Sequence, residues 1–328
     1  MSFFAVLFAL ILEQARPLAR GNWVYAGFLA WARWGYRSLD AGRPHHGWIT
    51  WIFAVIIPTL VTLLVHWLLW RVNILLAFVW SVAVLYITLG FRQFSHYFTD
   101  IRDALDDGDE AKARDLLAQW RQIDASELPR SEIVRHVIEH SVLAAHRHVF
   151  GVLSWFSVLA ALGFGPAGAV LYRMSEFVAR YWTYKGKNPG EGASPALQRI
   201  ATGAWGVIDF LPSRLTSLGF AVVGSFEDAI DAWRNYTQRF PADAALATAG
   251  RNDGLILAAT SGAVNVRLDG EPLKTVLAAD AQDLTMAVPT TGREPEVAHL
   301  RSVVGLVWRS VVLWMVLLAL LTLARLLG

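Results

Sequence analysis

The 328-residue sequence contains no cysteine, and its charge is low: 17% of the residues are charged, and the formal net charge is +2. Without cysteine the chain can form no disulfide, no thiolate metal site and no cysteine nucleophile. A net charge this close to zero gives little support to a nucleic-acid-binding surface. We therefore expect no nucleic-acid partner.

Apolar residues take the place of the missing charge, and they are concentrated in long runs. Hydrophobic side chains make up 55% of the sequence, whereas about 45–50% is usual for a soluble protein. Trp48–Trp70, Val72–Gly90 and Val303–Gly328 each reach the ~20 apolar residues that a bilayer-spanning helix needs. The sequence thus predicts a multi-pass integral membrane protein whose main partner is the lipid bilayer.

The N-terminal stretch MSFFAVLFALIL is apolar but shorter than these runs. It has neither the basic region nor the small-residue cleavage site that is typical of a signal peptide. We expect a short or tilted span that is retained. Together with the basic loop and the apolar hairpin 48–90 that follow, it forms a predicted N-terminal membrane part, residues 1–98. A C-terminal transmembrane helix is predicted over residues 301–328.

Basic residues are unevenly distributed between the loops. Residues 13–47 contain five arginines and residues 91–147 contain eight arginines and lysines, whereas Arg71 alone lies between the two long runs. Basic loops remain on the cytoplasmic side of a membrane. We therefore expect the main loops to be cytoplasmic, in a protein of a bacterial-type inner membrane, with 48–90 as a transmembrane hairpin.

Two further apolar stretches are interrupted. Val149–Met174 contains Gly163 and Pro166, and Gly206–Phe226 contains Pro212 together with charged residues. Interrupted helices are tolerated at membrane depth where protein or a cavity surrounds them. We expect residues 149–226 to form broken or re-entrant membrane helices joined by a basic loop; two ordinary crossings are the alternative.

The remaining segments are predicted to be cytoplasmic. Residues 99–148 contain two amphipathic helical patterns separated by the turn Asp107-Gly108-Asp109, which also provides a cap for the second helix. Residues 227–300 are predicted to be cytoplasmic and to end in a loose linker, Thr275–Glu296, that is rich in proline and glycine. The predicted fold class is therefore all-α, with broken membrane helices and a helical cytoplasmic portion.

One short motif has the spacing of a metal site. His136, Glu139 and His140 form H-x-x-E-H, which supplies two zinc ligands and a base in inverted zinc proteases. A zinc hydrolase also needs a third ligand, for which the sequence offers only distant acids: Glu227, Asp228 and Asp231. Because the motif has three defined positions and the chain has nine histidines, the polar face of a cytoplasmic helix is the alternative interpretation.

Four segments, Asp103–Leu117, Ile133–Trp155, Phe210–Leu218 and Asn252–Gly270, resemble in this order blocks of the CobD/CbiB family of membrane-bound cobinamide synthases and of the related AmpE proteins. Asp103–Leu117 is similar to the A-L-x-x-G-D-x-x-x-A-R turn of the family. Ile133–Trp155 matches a second block through Arg135 and Glu139. The other two are FLPSRLTSL (Phe210–Leu218) and NDGLILAATSGAVNVRLDG (Asn252–Gly270), and the last of these is the most specific match.

The resemblance implies an amide ligase. Family enzymes join the propionate carboxyl of adenosylcobyric acid to aminopropanol or its phosphate, using ATP and magnesium. It implies Glu139 as a catalytic residue, and it implies that a corrinoid or other small molecule is bound by the matching residues Arg135, Arg214, Asn252, Gly254, Gly262, Arg267 and Gly270. Close helix packing is the alternative role for Gly254 and Gly262.

The sequence departs from the family pattern at acidic positions. Leu143, Arg147 and Leu257 stand where the family has acids, and the N-T-L-D segment reads Glu176-Phe-Val-Ala179. These losses favour an AmpE-like protein that binds a small molecule or a signalling partner, in regulation of the envelope or of β-lactamase induction. The alternative is a ligase with displaced ligands, such as Glu139, Glu176, Asp209 or Glu13. Weak metal candidates are His136, His140 and Glu176.

Overall fold

The computed structural model describes residues 2–16, 23–90, 92–121, 124–186, 192–240, 248–268 and 290–327. These residues form α1 (Ser2–Ala15), α2 (Trp23–Leu39), α3 (Pro44–Trp51), α4 (Ile57–Val72), α5 (Ile74–Thr88), α6 (Arg92–Asp106), α7 (Glu110–Arg121), α8 (Arg130–Ala145), α9 (Gly151–Ala161), α10 (Ala167–Gly186), α11 (Pro195–Ile208), α12 (Phe210–Val223), α13 (Phe226–Arg239), α14 (Thr248–Val264) and α15 (Val297–Leu327). Extended pairing in this part of the chain is limited to one bridge, between Val266 and Arg293. The all-α prediction is confirmed.

Three helical stretches among the described residues are long and apolar enough to cross a membrane: Pro44–Val72, Arg130–Ala161 and Val297–Ala324. The first and third confirm predicted spans. The first consists of α3 and α4 joined by a π-helical turn, Ile52–Ile56, directly before Pro58. Proline has no N–H to donate, and the carbonyl of Ala54, four residues before Pro58, accepts instead from the indole N–H of Trp31 at 3.3 Å.

The helix α5 is shorter than the run Val72–Gly90 predicts. It begins at Ile74 because the Asn73 side chain accepts a hydrogen bond from the Leu75 N–H at 2.8 Å, which caps the helix. Its 15 residues extend about 22 Å at 1.5 Å per residue. That length is below the ~30 Å of a bilayer core.

The chain divides into two compact units. The first unit comprises residues 1–93, 147–212 and 314–328, and the second comprises residues 94–146 and 213–313. The helix α8 continues into α9 through a second π-helical turn, His146–Phe150. Residues 99–148, predicted to be a separate cytoplasmic segment, are therefore continuous with the apolar helix that follows them.

In the first unit, Val149–Met174 folds as a helical hairpin. Its two helices, α9 and α10, are joined by a turn in which Gly163 and Gly165 have positive φ values of 87° and 55°. Close packing requires glycine at Gly168 as well, because a Cβ there would overlap the carbonyl of Trp155. The predicted break at these glycines is confirmed.

The second predicted break separates α11 from α12. The two helices are bent by 44° across Asp209. The first of them, α11, begins at Pro195, earlier than the predicted start at Gly206. In the first unit, the indole N–H of Trp155 donates to the Ile208 carbonyl at 2.9 Å, and the hydroxyl of Tyr172 donates to Asp209 at 2.9 Å. Polar groups next to the break are thus satisfied within the protein, as a low-dielectric setting requires.

The second unit contains the two predicted amphipathic helices, α6 and α7. Ile101, Leu105 and Leu117 are fully buried. The turn between the helices has Gly108 at φ 80°, and Asp109 accepts from the Lys112 N–H at 3.0 Å as the cap of α7. The predicted turn and cap are confirmed.

The linker predicted over Thr275–Glu296 lies outside the described residues up to position 289. Its described end is held in place in the second unit. The Arg267 N–H donates to the Arg293 carbonyl at 2.7 Å, and the Leu268 N–H donates to the Thr290 hydroxyl at 2.6 Å. Residues 290–293 therefore belong to the folded unit rather than to a loose linker.

Candidate functional site

A buried ion-pair cluster lies along α8 in the second unit. The guanidinium of Arg135 donates to Glu139 at 2.6 Å and to Glu132 at 2.6 Å. Helical spacings of three and four residues place both acids beside the arginine. Arg135 is 2% exposed and Glu139 is 1% exposed, whereas Glu132 is half-buried. The two glutamates offset the cost of burying the arginine charge.

His136 belongs to the same cluster. Its Nε2 lies 3.0 Å from Arg135 Nη2, and its Nδ1 lies 3.4 Å from a carboxylate oxygen of Glu139. Because arginine can only donate, the histidine Nε2 must accept, and its proton must be on Nδ1. His136 Nδ1 and this oxygen of Glu139 lie side by side but make no hydrogen bond in this geometry. The predicted residues Arg135, His136 and Glu139 thus form one group.

The zinc interpretation gains nothing from the structure. His140 stands edge-on to the ring of Trp120, with ring centroids 4.5 Å apart. The proposed third ligands are on α13, where Asp228 accepts from Ser225 at 2.6 Å. Within the described ranges, no three histidine or acidic side chains converge in a way that could hold a metal ion.

A second predicted pair meets between α12 and α14. The guanidinium of Arg214 donates to the Asn252 side-chain oxygen at 3.1 Å and to the Ser213 hydroxyl at 3.1 Å. Asn252 is fully buried, and Arg214 is half-buried. Two segments that lie 38 residues apart in sequence thus contribute side chains to one polar pair in the second unit. The structure brings together two of the predicted ligand-binding residues.

One polar contact of the second unit was missed by sequence reasoning. His146 Nδ1 lies 2.8 Å from the hydroxyl of Thr216, and both residues are buried. Thr216 is in the matched segment Phe210–Leu218, and its position there is the sequence signal that could have identified it as a functional residue. The contact ties α12 to the end of α8, in addition to the tie between α12 and α14.

The two predicted glycines of α14 serve helix packing. A Cβ on Gly254 would overlap the side chain of Tyr236, and a Cβ on Gly262 would overlap the backbone of Asp228 and Ala229. Both glycines therefore lie directly against α13. Their role as ligand-binding residues stays a prediction, beside this observed packing role.

The last two predicted binding residues follow α14. Arg267 has an exposed side chain, and its backbone pairs with Arg293. Gly270 lies outside the described residues. Neither residue is placed by the structure beside the Arg214–Asn252 pair.

The buried acids of the first unit are also engaged. Glu176 is 1% exposed and lies 2.6 Å from Arg173 and 2.5 Å from Arg180. Asp209 accepts from Tyr172, and Glu13 is buried on α1. Magnesium prefers carboxylate oxygens in octahedral geometry. The described residues do not fit a dedicated magnesium site, because no three of their acidic or histidine side chains converge and Glu139 and Glu176 are already paired with arginines.

Comparison with known proteins identifies the family. The sequence profile described as "CobD/Cbib protein" matches residues 3–307. The chain belongs to the CobD/CbiB family. This confirms the resemblance seen in the four segments, and it places the chain among membrane proteins named for cobalamin biosynthesis.

Curated CobD/CbiB relatives support the assignment. "Cobalamin biosynthesis protein CobD" of Stutzerimonas stutzeri is 28% identical over 324 residues, which is 96% of each chain. The protein of the same name from Chromobacterium violaceum is 30% identical over 202 residues, covering 60% of this chain and 57% of the relative. No solved structure matches the chain.

These relatives bear on the choice between a ligase and a regulator. Both are named for cobalamin biosynthesis. The expectation of an AmpE-like role in envelope regulation or β-lactamase induction has no support in these comparisons. They favour the ligase alternative, although acidic residues are missing from the family blocks of this chain.

Proposed function

We propose that the protein forms an amide bond in cobalamin biosynthesis, joining the propionate carboxyl of adenosylcobyric acid to aminopropanol or its phosphate. The observation that carries the proposal is the end-to-end similarity to a protein named "Cobalamin biosynthesis protein CobD", over 96% of each chain. A relationship of this extent covers most of both units and not a single shared segment.

The Arg214–Asn252 pair is the part of the site that we assign to the substrate. Arginine presents a planar set of donors that suits a carboxylate or a phosphate. Asn252 is fully buried, so it holds the guanidinium in one orientation. The reaction partners supply both anions: a propionate carboxylate on one side and, for the phosphorylated amine, a phosphate on the other.

The Arg135 cluster has a supporting role in this proposal. Both charged ends of the Arg135–Glu139 pair are buried and bonded to each other, so we assign them to positioning rather than to contact with the substrate. The catalytic role that the resemblance implies for Glu139 stays a separate prediction and is not part of this assignment. ATP supplies the energy to activate a carboxylate; since the described acids do not fit a magnesium site, no step is assigned to that ion.

A direct assay tests the proposal. Purified protein in detergent receives adenosylcobyric acid, ATP, magnesium and either aminopropanol or its phosphate, and mass spectrometry detects the amide. The Stutzerimonas stutzeri relative is run in parallel. We expect the amide product with one of the two amines. Absence of product, with the relative active and this protein folded by circular dichroism, would overturn the proposal.

A non-catalytic binding protein is the second candidate. The observation that favours it is the burial of Leu143 and Leu257, each 1% exposed, where the family has acids. Apolar packing has replaced acidic side chains at these two places. In the same assay, this candidate requires binding of adenosylcobyric acid without formation of the amide.

We also propose that the basic segments face the cytoplasm of a bacterial inner membrane, as the distribution of positive charge favours. The absence of cysteine makes this testable with single cysteines on an unmodified background. Val72→Cys, at an exposed helix end, should react with an impermeant maleimide on intact spheroplasts. Lys112→Cys, also exposed, should react only after permeabilisation. The reverse pattern would overturn the orientation.

A further inference from the structure

A cavity of about 410 Å³ opens at one end of the helices of the first unit. It lies between the end of α4, the first half of α5, the start of α1 and the turn after α9. The residues that line it include His66, Trp67, Trp70, Phe78, Phe156 and Gly165. Its volume is within the range of ~300–1,000 Å³ that is common for small-molecule sites. The candidate site for amide formation uses none of these residues.

Glycine forms one wall of the cavity. Gly165 lies against the ring of His66, and a Cβ added there would overlap that ring. A Cβ added at Gly163 would meet no atom within 4 Å, so this glycine borders open space. The turn between α9 and α10 therefore approaches α4 through residues that have no side chain. The absence of a side chain at Gly163 keeps part of the cavity open.

His66 is a polar residue of the cavity lining. His66 Nδ1 is buried and makes no hydrogen bond within the described part of the chain. The remaining lining residues are mainly apolar, so a molecule that fills the cavity must have an apolar body.

The rim of the cavity has the composition of a membrane interface. Trp67 is 48% exposed and Trp70 is 54% exposed. The guanidinium of Arg71 lies 4.7 Å from the centroid of the Trp67 ring. No carboxylate of the described residues pairs with Arg71. Tryptophan and arginine at a helix end are typical of the level of lipid headgroups.

We propose that this cavity binds one phospholipid of the surrounding bilayer. One acyl chain fills the space beside Phe78 and Phe156, and the headgroup phosphate pairs with Arg71. The bound lipid would close the wall between α1, α4 and the α9–α10 turn. This site is independent of amide formation, so the ligation assay and the lipid measurement can succeed or fail separately.

Two adjacent alanines provide a matched test. Ala160 lines the cavity, and its neighbour Ala161 is exposed. Native mass spectrometry is performed on delipidated protein after titration with phosphatidylglycerol of defined chain length. We expect wild type and Ala161→Trp to retain one lipid, and Ala160→Trp to bind it at least ten-fold more weakly. Equal retention by both variants would mean adventitious lipid only and would overturn the proposal.

Substitution of the rim charge gives a second test that leaves the cavity intact. Wild type should prefer phosphatidylglycerol to an uncharged lipid analogue, diacylglycerol, of the same chain length, because only the former carries a phosphate for Arg71. In Arg71→Gln we expect this preference to fall at least three-fold. An unchanged preference would overturn the assignment of the phosphate to Arg71. This test also decides the proposal if Ala160→Trp fails to fold and gives no lipid measurement.

Discussion

Arg135 and Glu139 lie one turn apart on α8 and are bonded at 2.6 Å with both side chains almost fully buried. Removing one partner of a buried ion pair leaves an uncompensated charge, which typically costs about 3–5 kcal/mol. Arg135 keeps its bonds to half-buried Glu132 in Glu139→Ala, so we expect this variant to lower the stability of the detergent-solubilised protein by an amount at the lower end of that range, measured by denaturant or thermal unfolding.

A matched pair provides the control for that measurement. Glu110 and Arg114 have the same four-residue spacing and lie 3.1 Å apart, but both are partly exposed. Exposed pairs contribute about 0–1 kcal/mol, so Glu110→Ala should have a small effect. Equal losses of stability in the two alanine variants would contradict the expectation that a buried ion pair contributes more to stability than an exposed one.

The Arg214–Asn252 pair gives a prediction about activity. Arg214→Lys keeps the charge but loses the planar set of donors, so we expect at least a ten-fold loss in kcat/KM for amide formation, with the helical content unchanged. Arg309→Lys, at an exposed position on α15, is the control. If Arg214→Lys retained full kcat/KM, this arginine would have no role in binding the substrate anion.

Gly262 is predicted to tolerate no side chain. A Cβ there overlaps the backbone of α13, which cannot move aside as a side chain can, so Gly262→Ala should destabilise the α13–α14 pair by about 1–3 kcal/mol. Gly250→Ala is the control on the same helix, because a Cβ there meets no atom within 4 Å. Helix propensity makes that change neutral or stabilising by up to ~1 kcal/mol. A stable Gly262→Ala would contradict the close approach.

The His146–Thr216 bond predicts a cost for losing a hydroxyl. Thr216→Val keeps the shape of the side chain and leaves buried His146 without this partner, which we expect to cost about 1–3 kcal/mol in unfolding free energy. Thr237→Val is the control, since Thr237 is exposed and bonds only to backbone carbonyls of its own helix. A cost no greater than that of the control would show that the observed contact contributes little.

Tyr236 predicts a response to alkaline pH. Burial, with a further contribution from the nearby Asp253 carboxylate, raises the pKa of its hydroxyl above the ordinary value of 10.0. The folded protein then keeps this proton while the unfolded chain loses it, so the stability contributed is complete below pH ~10 and declines as pH rises towards the folded pKa. Tyr236→Phe should remove the part of the stability loss at alkaline pH that comes from this hydroxyl. Identical alkaline unfolding curves for the two proteins would contradict it.

Several features of this protein follow from local sequence alone. An apolar run long enough to span a bilayer can be recognised without knowing what it packs against, as Trp48–Trp70 and Val303–Gly328 show. The turn at Asp107–Asp109 and the breaks near Gly163 and Asp209 follow from the chemistry of single residues. The family was evident from ordered blocks, because such blocks can be compared without a structure.

Only the tertiary structure decided which side chains meet. Helical periodicity identifies the face on which Arg214 lies, but not that Asn252, on a different helix, lies opposite it. Likewise a glycine such as Gly262 carries no mark in sequence of the helix that packs against it. The cavity beside His66 depends on four chain segments converging at one end, and this convergence depends on the packing of whole helices, which no local pattern specifies.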